Sequence, residues 1–313
     1  MAKSAFDDAH FNDEAAAFAY VESKLWPNGP VCQHCGNADS QRIRKMEGKT
    51  TRLGLYNCNE CRKPFTVKIG TIFESSHLPL RLWLQVIHLM CSSKKGVSTN
   101  QVQRMLSCSM KTAWFLTHRV REAMRDDALS PMGGAGGTVE IDETYTGRKE
   151  GFDIKRGYSH KNAVLTLVER KGRARSFHLE TATKEEIIPI VRENVARESH
   201  VMTDEANRYA KLGNDFAKHG AVDHSRGEYG YTDRETGEKI NTNTVEGYYS
   251  IFKRGMIGVY QHCGEQHLHR YLAEFDFRYS NRVRLGVDDT ARADQALLGV
   301  KGKRLTYETT TQG

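Results

Sequence analysis

The spacing of apolar positions changes near residue 138, and the change divides the chain. Before it, apolar residues recur at helical intervals. Residues 12–26 (NDEAAAFAYVESKLW) read as an amphipathic helix that ends before Pro27. Pro79–Met90 carries Leu, Trp and Ile at helical spacing. Gly96, Val97 and Ser98 then offer a turn and an N-cap for Thr99–Leu106, and Ser109 caps a longer helix, Met110–Met124. Beyond residue 138 the pattern turns to strands. Thr138–Thr144 and Ala163–Glu169 are β-branched and aliphatic, Lys171 and Gly172 read as a hairpin turn into Ala174–Leu179, and His200–Thr203 is a short strand. Thr183 is expected to cap a helix over Lys184–Val195, with Glu186 at the capping-box position, and a further helix is expected from about Glu205. The glycine-rich run 131–137 (PMGGAGG) reads as a linker.

The order β-β-β-α-β-α, then a helix, suits an RNase H-like α/β domain, although other α/β folds share it. The helices before it have the short helix, tight turn and longer helix of a helix-turn-helix. On the last of them Lys111, Thr112, His118, Arg119 and Arg121 are polar, while Ala113, Trp114, Leu116 and Val120 form an apolar set. Lys111, Thr112, Arg119 and Arg121 are therefore candidate DNA contacts. The competing reading is a three-helix packing element with a solvated charged face.

Charge sharpens this picture. The 313 residues hold 46 Lys+Arg against 39 Asp+Glu, a net charge of +7. The distribution is uneven: residues 1–39 have two basic and six acidic residues, and residues 40–68 have eight basic and two acidic. A basic segment after an acidic leader fits contact with phosphates. No apolar run approaches the roughly 18 residues of a membrane span. The N-terminal MAKSAFDDAH lacks a signal-peptide core, so the expected location is the cytoplasm, on the bacterial nucleoid. Seven cysteines without a secretion signal point to a reducing compartment.

Four of those cysteines form two pairs, Cys32/Cys35 and Cys58/Cys61, separated by 22 residues. Each CxxC turn can present two thiolates, and two such turns close a tetrahedral zinc site around a β-hairpin. A segment this short buries little core, so the metal would replace one. Four protein ligands make the zinc structural. Unliganded buried thiols or a redox CxxC are the alternatives, and two matched pairs argue against both. His34, inside the first turn, is read as a bystander.

Phosphoryl transfer on DNA calls for divalent ions held by a few carboxylates. Asp142 lies on the expected strand 138–144, Asp204 follows the strand 200–203, and Glu246 lies in an expected helix spanning Asn241–Arg254. Lys253 is two helical turns beyond Glu246 on the same face, where it and Arg254 could meet bound DNA. The neighbouring acids Glu143 and Glu205 leave the assignment open on spacing alone.

The segments VEIDETYTG (139–147), TDEANRY (203–209), VDHS (222–225), Asn241–Arg254 and HLHRYLAEFDFR (267–278) together resemble the ISXO-2-like transposases of insertion-sequence family 1595. The zinc-ribbon spacing fits too, so the resemblance spans nearly the whole chain. It implies an RNase H-like core and metal-dependent transposition of DNA. By motif position Asp142, Asp204 and Glu246 are the three acids and Lys253 the accompanying base, with Mg²⁺ (or Mn²⁺) as catalytic ion, two per site. Asn243 competes for the third position, but the negative charge and the seven-residue offset to Lys253 favour Glu246.

The expected organisation is then an N-terminal helix (1–29), a zinc ribbon (30–70), a helix-turn-helix region (77–130), an RNase H-like DD(E) domain (138–285) and a C-terminal tail (286–313). The expected partners are transposon-end DNA and target DNA, bound by a homodimer or larger synaptic complex. Two rivals remain. His267, His269 and Tyr271 could mark a phosphotyrosine nuclease, but Leu268, Tyr271, Leu272, Phe275 and Tyr279 form a helical stripe where that chemistry needs a strand. The chain could also be a DNA-binding regulator or an inactive relic.

Overall fold

The computed structural model describes residues 4–127, 130–154, 156–204, 209, 212–223, 230–234 and 237–304. It divides the chain into two units, Met1–Ser93 with Val97–Arg125 and Asp288–Gly313, and Lys94–Gly96 with Asp126–Val287.

In the first unit, Asp13 accepts from the Ala16 amide at 2.7 Å and starts α1 (Glu14–Leu25), which buries Ala17, Val21 and Leu25 four residues apart. Three short strands follow, β1 (Ile43–Lys45), β2 (Tyr56–Cys58) and β3 (Pro64–Phe65), in one antiparallel sheet of that order. The proline before α2 (Leu80–Ser92) cannot cap it with a side chain. Glu14 does so from α1, accepting from the amides of Leu80 at 2.7 Å and Arg81 at 3.2 Å. As expected, α3 (Thr99–Leu106) and α4 (Met110–Met124) start at serine caps. Ser98 and Ser109 each accept an amide at 3.1 Å, from Gln101 and Thr112.

The end of the chain departs from expectation. Asp289–Leu298, read as part of a tail, is a helix capped by Asp288, and it buries Ala296 and Leu297 within this unit. Charged side chains do part of its docking. Asp294 receives Tyr20 and Lys24, and Arg292 donates to the Cys91 carbonyl at 2.7 Å. An apolar stripe search misses a helix held that way. Residues 305–313, the rest of that tail, lie outside the described residues.

The second unit is built on β4 (Thr138–Thr146), β5 (Asn162–Glu169), β6 (Ala174–Leu179), α5 (Lys184–Asn194), β7 (His200–Asp204) and β8 (Lys218–Val222). A hairpin, β9 (Tyr231–Thr232) and β10 (Lys239–Ile240), leads to α6 (Asn243–Gly255) and α7 (Leu268–Ser280). The five-stranded sheet has the order β6-β5-β4-β7-β8. β4, β5 and β6 are antiparallel neighbours, and β7 and β8 run parallel to β4. One face packs Val139, Ile141 and Leu165 against Ile187 and Val191 of α5. The other packs Val164 and Val168 against Val245, Phe252, Leu272 and Phe275 of α6 and α7. Two covered faces explain why β5 is buried from Asn162 to Val168. A β-carbon at Gly255 would collide with the Phe275 ring, so a glycine lets the two helices approach.

Two expectations change here, and one rival reading falls. The glycine-rich run is no loose linker: Met132 is fully buried and bridges Val195, and Gly134 donates to Ser199 Oγ at 2.9 Å. Glu186 closes no capping box with Thr183. Its carboxylate instead accepts the amides of Glu180 and Thr181, at 2.8 and 2.9 Å. His267–Tyr271 enters α7, with Leu268, Tyr271, Leu272 and Phe275 in the core, so the helical stripe holds and the phosphotyrosine reading loses its strand. The helix expected from about Glu205 falls largely outside the described residues.

Candidate active site

The four cysteines converge from two turns that lie apart along the chain. Cys32 and Cys35 come from the turn after α1, Cys58 ends β2, and Cys61 follows it. Their sulfurs all lie within 4.8 Å of one another, with Cys32–Cys61 and Cys35–Cys58 at 3.7 Å. A zinc ion bound at about 2.3 Å to four sulfurs would require S···S edges of about 3.8 Å. The donor set therefore fits zinc in both softness and size. The backbone N–H of Cys61 aimed at Cys58, opposed by burial and helped by Asn37, lowers that thiol to about 6. At Cys35 the Asn37 amide is outweighed by burial and the neighbouring sulfurs, which push that thiol up to about 12, so without metal one thiol of the cluster gains at the other's expense. His34 contacts the Pro64 carbonyl at 3.2 Å and is not in the cluster.

The second cluster is made by strand pairing. β4 and β7 are parallel, with Glu140 opposite Met202, and two residues further along each strand stand Asp142 and Asp204. One carboxylate oxygen from each of Asp142, Glu143 and Asp204 lies within 4.8 Å of the others. Hard oxygen donors grouped so closely suit a divalent cation such as Mg²⁺ or Mn²⁺. Burial, then the charges of Glu143, Asp204 and Glu246, push Asp142 up to about 8, against the Glu143 amide that donates to it at 2.8 Å.

Tyrosines frame these acids. The Tyr209 hydroxyl donates to Glu143, and burial and that carboxylate raise the phenol well above its ordinary value. The Tyr249 hydroxyl donates to the Asp142 carbonyl at 2.6 Å.

Glu246 lies in the first turn of α6, exposed, and accepts from Thr242 Oγ1 at 3.0 Å. It stands outside the tight trio, yet its charge reaches Asp142. Asn243 is exposed at the helix start. Lys253 is exposed with its ammonium 5.9 Å from the Tyr249 ring, and Arg254 folds back onto Ser250 of its own helix. On α4 the expected polar set splits. Lys111 is exposed and Thr112 is tied to the Ser109 cap. Arg121 is 0% and Arg119 5% exposed, the latter donating to the carbonyls of Ile72 and Glu74. Both arginines are buried within the first unit, where the sequence reading expected exposed DNA contacts. An Arg on a helix reads as surface by composition; only the irregular segment 72–74 laid over it makes it interior. The residues that sequence reasoning did not place are Glu143 as a cluster member, signalled only by adjacency to Asp142, and the tyrosines, which carried no signal.

Residues 134–280 match the ISXO2-like transposase domain, and residues 12–64 match the transposase zinc-ribbon domain. The two matches cover the cysteine turns and the acid cluster in the expected order. The chain carries an ISXO2-like transposase domain behind a transposase zinc ribbon. An uncharacterized protein in transposable element ISH50 of Halobacterium salinarum is 27% identical over 286 residues, covering 86% of this chain and 91% of that protein. A solved structure, the Drosophila P element transposase strand transfer complex, aligns at 10% identity and a TM-score of 0.26, over 66% of this chain and 58% of that one. A likeness that low carries no argument. In the transposase, no helix among the described residues is long and apolar enough to cross a membrane.

Proposed function

We propose that this transposase binds the terminal inverted repeats of its element and carries out metal-dependent DNA cleavage and strand transfer through Asp142, Asp204 and Glu246. The observation that carries the reading is the meeting of Asp142, Glu143 and Asp204 at the end of a parallel strand pair, with the Glu246 charge within reach. The strand order, with three antiparallel strands and two more parallel to the first, supports an RNase H-like core. The serine-capped α3 and α4 support a helix-turn-helix that works with the zinc ribbon on DNA, with Lys111 as its contact.

Asp142, Asp204 and Glu246 would hold the catalytic ions, with Glu143 beside them. When bound, Mg²⁺ or Mn²⁺ supplies Lewis-acid activation of the attacking and leaving oxygens, and two ions serve an in-line displacement. Asp142 and Asp204 would hold those cations where the scissile phosphate meets the sheet end, and Lys253 offers a cation to the flanking backbone. Water opens the phosphodiester at the transposon end, leaving a 3′-hydroxyl on the element and a 5′-phosphate on the flank. That hydroxyl then attacks a target phosphodiester, joining to its phosphorus as the target's 3′-hydroxyl leaves, without a covalent enzyme intermediate. Two transposon ends call for a dimer or larger assembly, and the protein acts where DNA is, in the cytoplasm.

The test is end cleavage and joining on labelled DNA carrying the element's own termini, with Mg²⁺ or EDTA. Product is expected with Mg²⁺ alone, lost in Asp142→Ala and Glu246→Ala and kept in Asn243→Ala. Joining by Asp142→Ala protein sinks the assignment. Specific end binding without cleavage by the unaltered chain moves the reading to a DNA-binding regulator.

A further inference from the structure

Glu140 is a carboxylate with no exposure at all, two residues before Asp142 on β4. Its Oε1 accepts Arg170 Nε at 2.7 Å and Thr244 Oγ1 at 2.7 Å, and its Oε2 accepts the amides of Thr244 at 2.6 Å and Val245 at 3.0 Å. Those amides belong to the first turn of α6, where an N-cap side chain ordinarily accepts them. Thr242, the residue in that place, makes no capping bond; its hydroxyl turns to Glu246. The helix is thus capped from a strand about a hundred residues earlier, and the residue after the capped pair is Glu246. Arg170 extends the hold, donating to the carbonyls of Lys239 at 2.7 Å and Asn241 at 2.9 Å on the approach to α6. One turn further along, Tyr249 bonds the Asp142 carbonyl. Both anchors of the helix are therefore on β4.

We propose that the buried Glu140–Arg170 pair is a positioning clamp that sets Glu246 against Asp142 before any metal arrives. The inference rests on the catalytic reading of Asp142, Asp204 and Glu246 given above. Glu140 touches none of the reacting atoms and acts through α6. A carboxylate suits this place because all four incoming groups are donors. A carboxamide would turn its own N–H against some of them.

The experiment compares the full chain with its Glu140→Gln and Thr244→Val variants. Three quantities are read: amide hydrogen exchange at Thr244 and Val245 without divalent metal, Mn²⁺ binding by electron paramagnetic resonance, and cleavage against Mg²⁺ concentration. In Glu140→Gln the two amides are expected to exchange about tenfold faster or more, and Mn²⁺ affinity to fall about tenfold. Cleavage at saturating metal should recover to within about threefold of the original, with zinc content unchanged. Thr244→Val, which removes one bond of the four, shifts Mn²⁺ affinity the same way by about threefold, and decides the matter if Glu140→Gln does not fold. Faster exchange with unmoved Mn²⁺ affinity reduces Glu140 to a helix cap and overturns the clamp. Glu246→Ala separates the two readings. Full cleavage by that variant removes the catalytic assignment and the clamp's purpose with it, whereas loss of cleavage beside an unmoved Glu140→Gln titration removes the clamp alone.

Discussion

The cysteine cluster and the acid cluster are both sets of metal-ligating side chains, built by opposite means. The cysteines come in pairs three residues apart, so each half of the site is made by one turn, and a single hairpin brings the halves together. The acids stand on β4 and β7, 62 residues apart in sequence between Asp142 and Asp204, and meet only because a sheet forms with its strands in register. The first arrangement is closed by four ligands and satisfies itself once metal is bound. The second crowds like charges together, and burial with those charges pushes Asp142 up to about 8. A site closed by two local turns can be content; one assembled by strand pairing is held under repulsion.

The contrast can be broken most forcefully at the ribbon. Cys58→Ala should abolish stoichiometric zinc and the dispersed amide signals of residues 43–65, because structural zinc contributes about 10 kcal/mol or more to such modules. Retention of one zinc per chain by that variant would mean the four sulfurs are not the ligand set.

Next in size is the pH response of the acid cluster in metal-free protein. The folded Asp142 carboxyl titrates above its ordinary value of 3.8, so folding favours the protonated form. That contribution is full below about pH 4 and is lost as the pH rises toward about 8. Melting temperature should therefore fall across this window in the original chain and fall less in Asp142→Asn, which should be the more stable by on the order of 2 kcal/mol at pH 8. Added Mg²⁺ should raise the melting temperature more at pH 8 than at pH 5. Identical pH profiles for the two proteins would show that the acids do not strain the fold.

Tyr249→Phe removes the bond to the Asp142 carbonyl and should cost about 1 kcal/mol of stability, with reduced cleavage and unaltered zinc content. Unchanged cleavage would mean that Asp142 needs no support from α6. The smallest effect belongs to His34→Ala. Exposed inside the first cysteine turn and bonded to the Pro64 carbonyl, it should change zinc content and melting by less than about 0.5 kcal/mol. Loss of zinc would make His34 a ligand and break the four-sulfur account.

Much of this was legible along the chain wherever the signal is local. The caps Ser98 and Ser109 start their helices at the expected residues, β6 has the expected bounds, and the stripe of α7 is in the core. The failures share a cause. The C-terminal helix docks through Asp294 and Arg292, the glycine run is pinned by Met132 and Ser199, and Arg119 donates to a segment from elsewhere in its unit. In each case a polar or flexible residue finds its partner far along the chain, and composition assigns such residues to solvent.

The amino-acid sequence by itself determined the elements and the residue types that can hold metal, because helix caps, strand alternation and CxxC spacing act over a few residues. Tertiary structure alone decided which acids share a site, that Glu143 joins them, and that Glu140 caps the helix carrying Glu246 from a distant strand. Those outcomes depend on strand register and on long-range hydrogen bonds to buried charge. A one-residue change of register would turn every β4 side chain to the other face, and no local pattern encodes that choice.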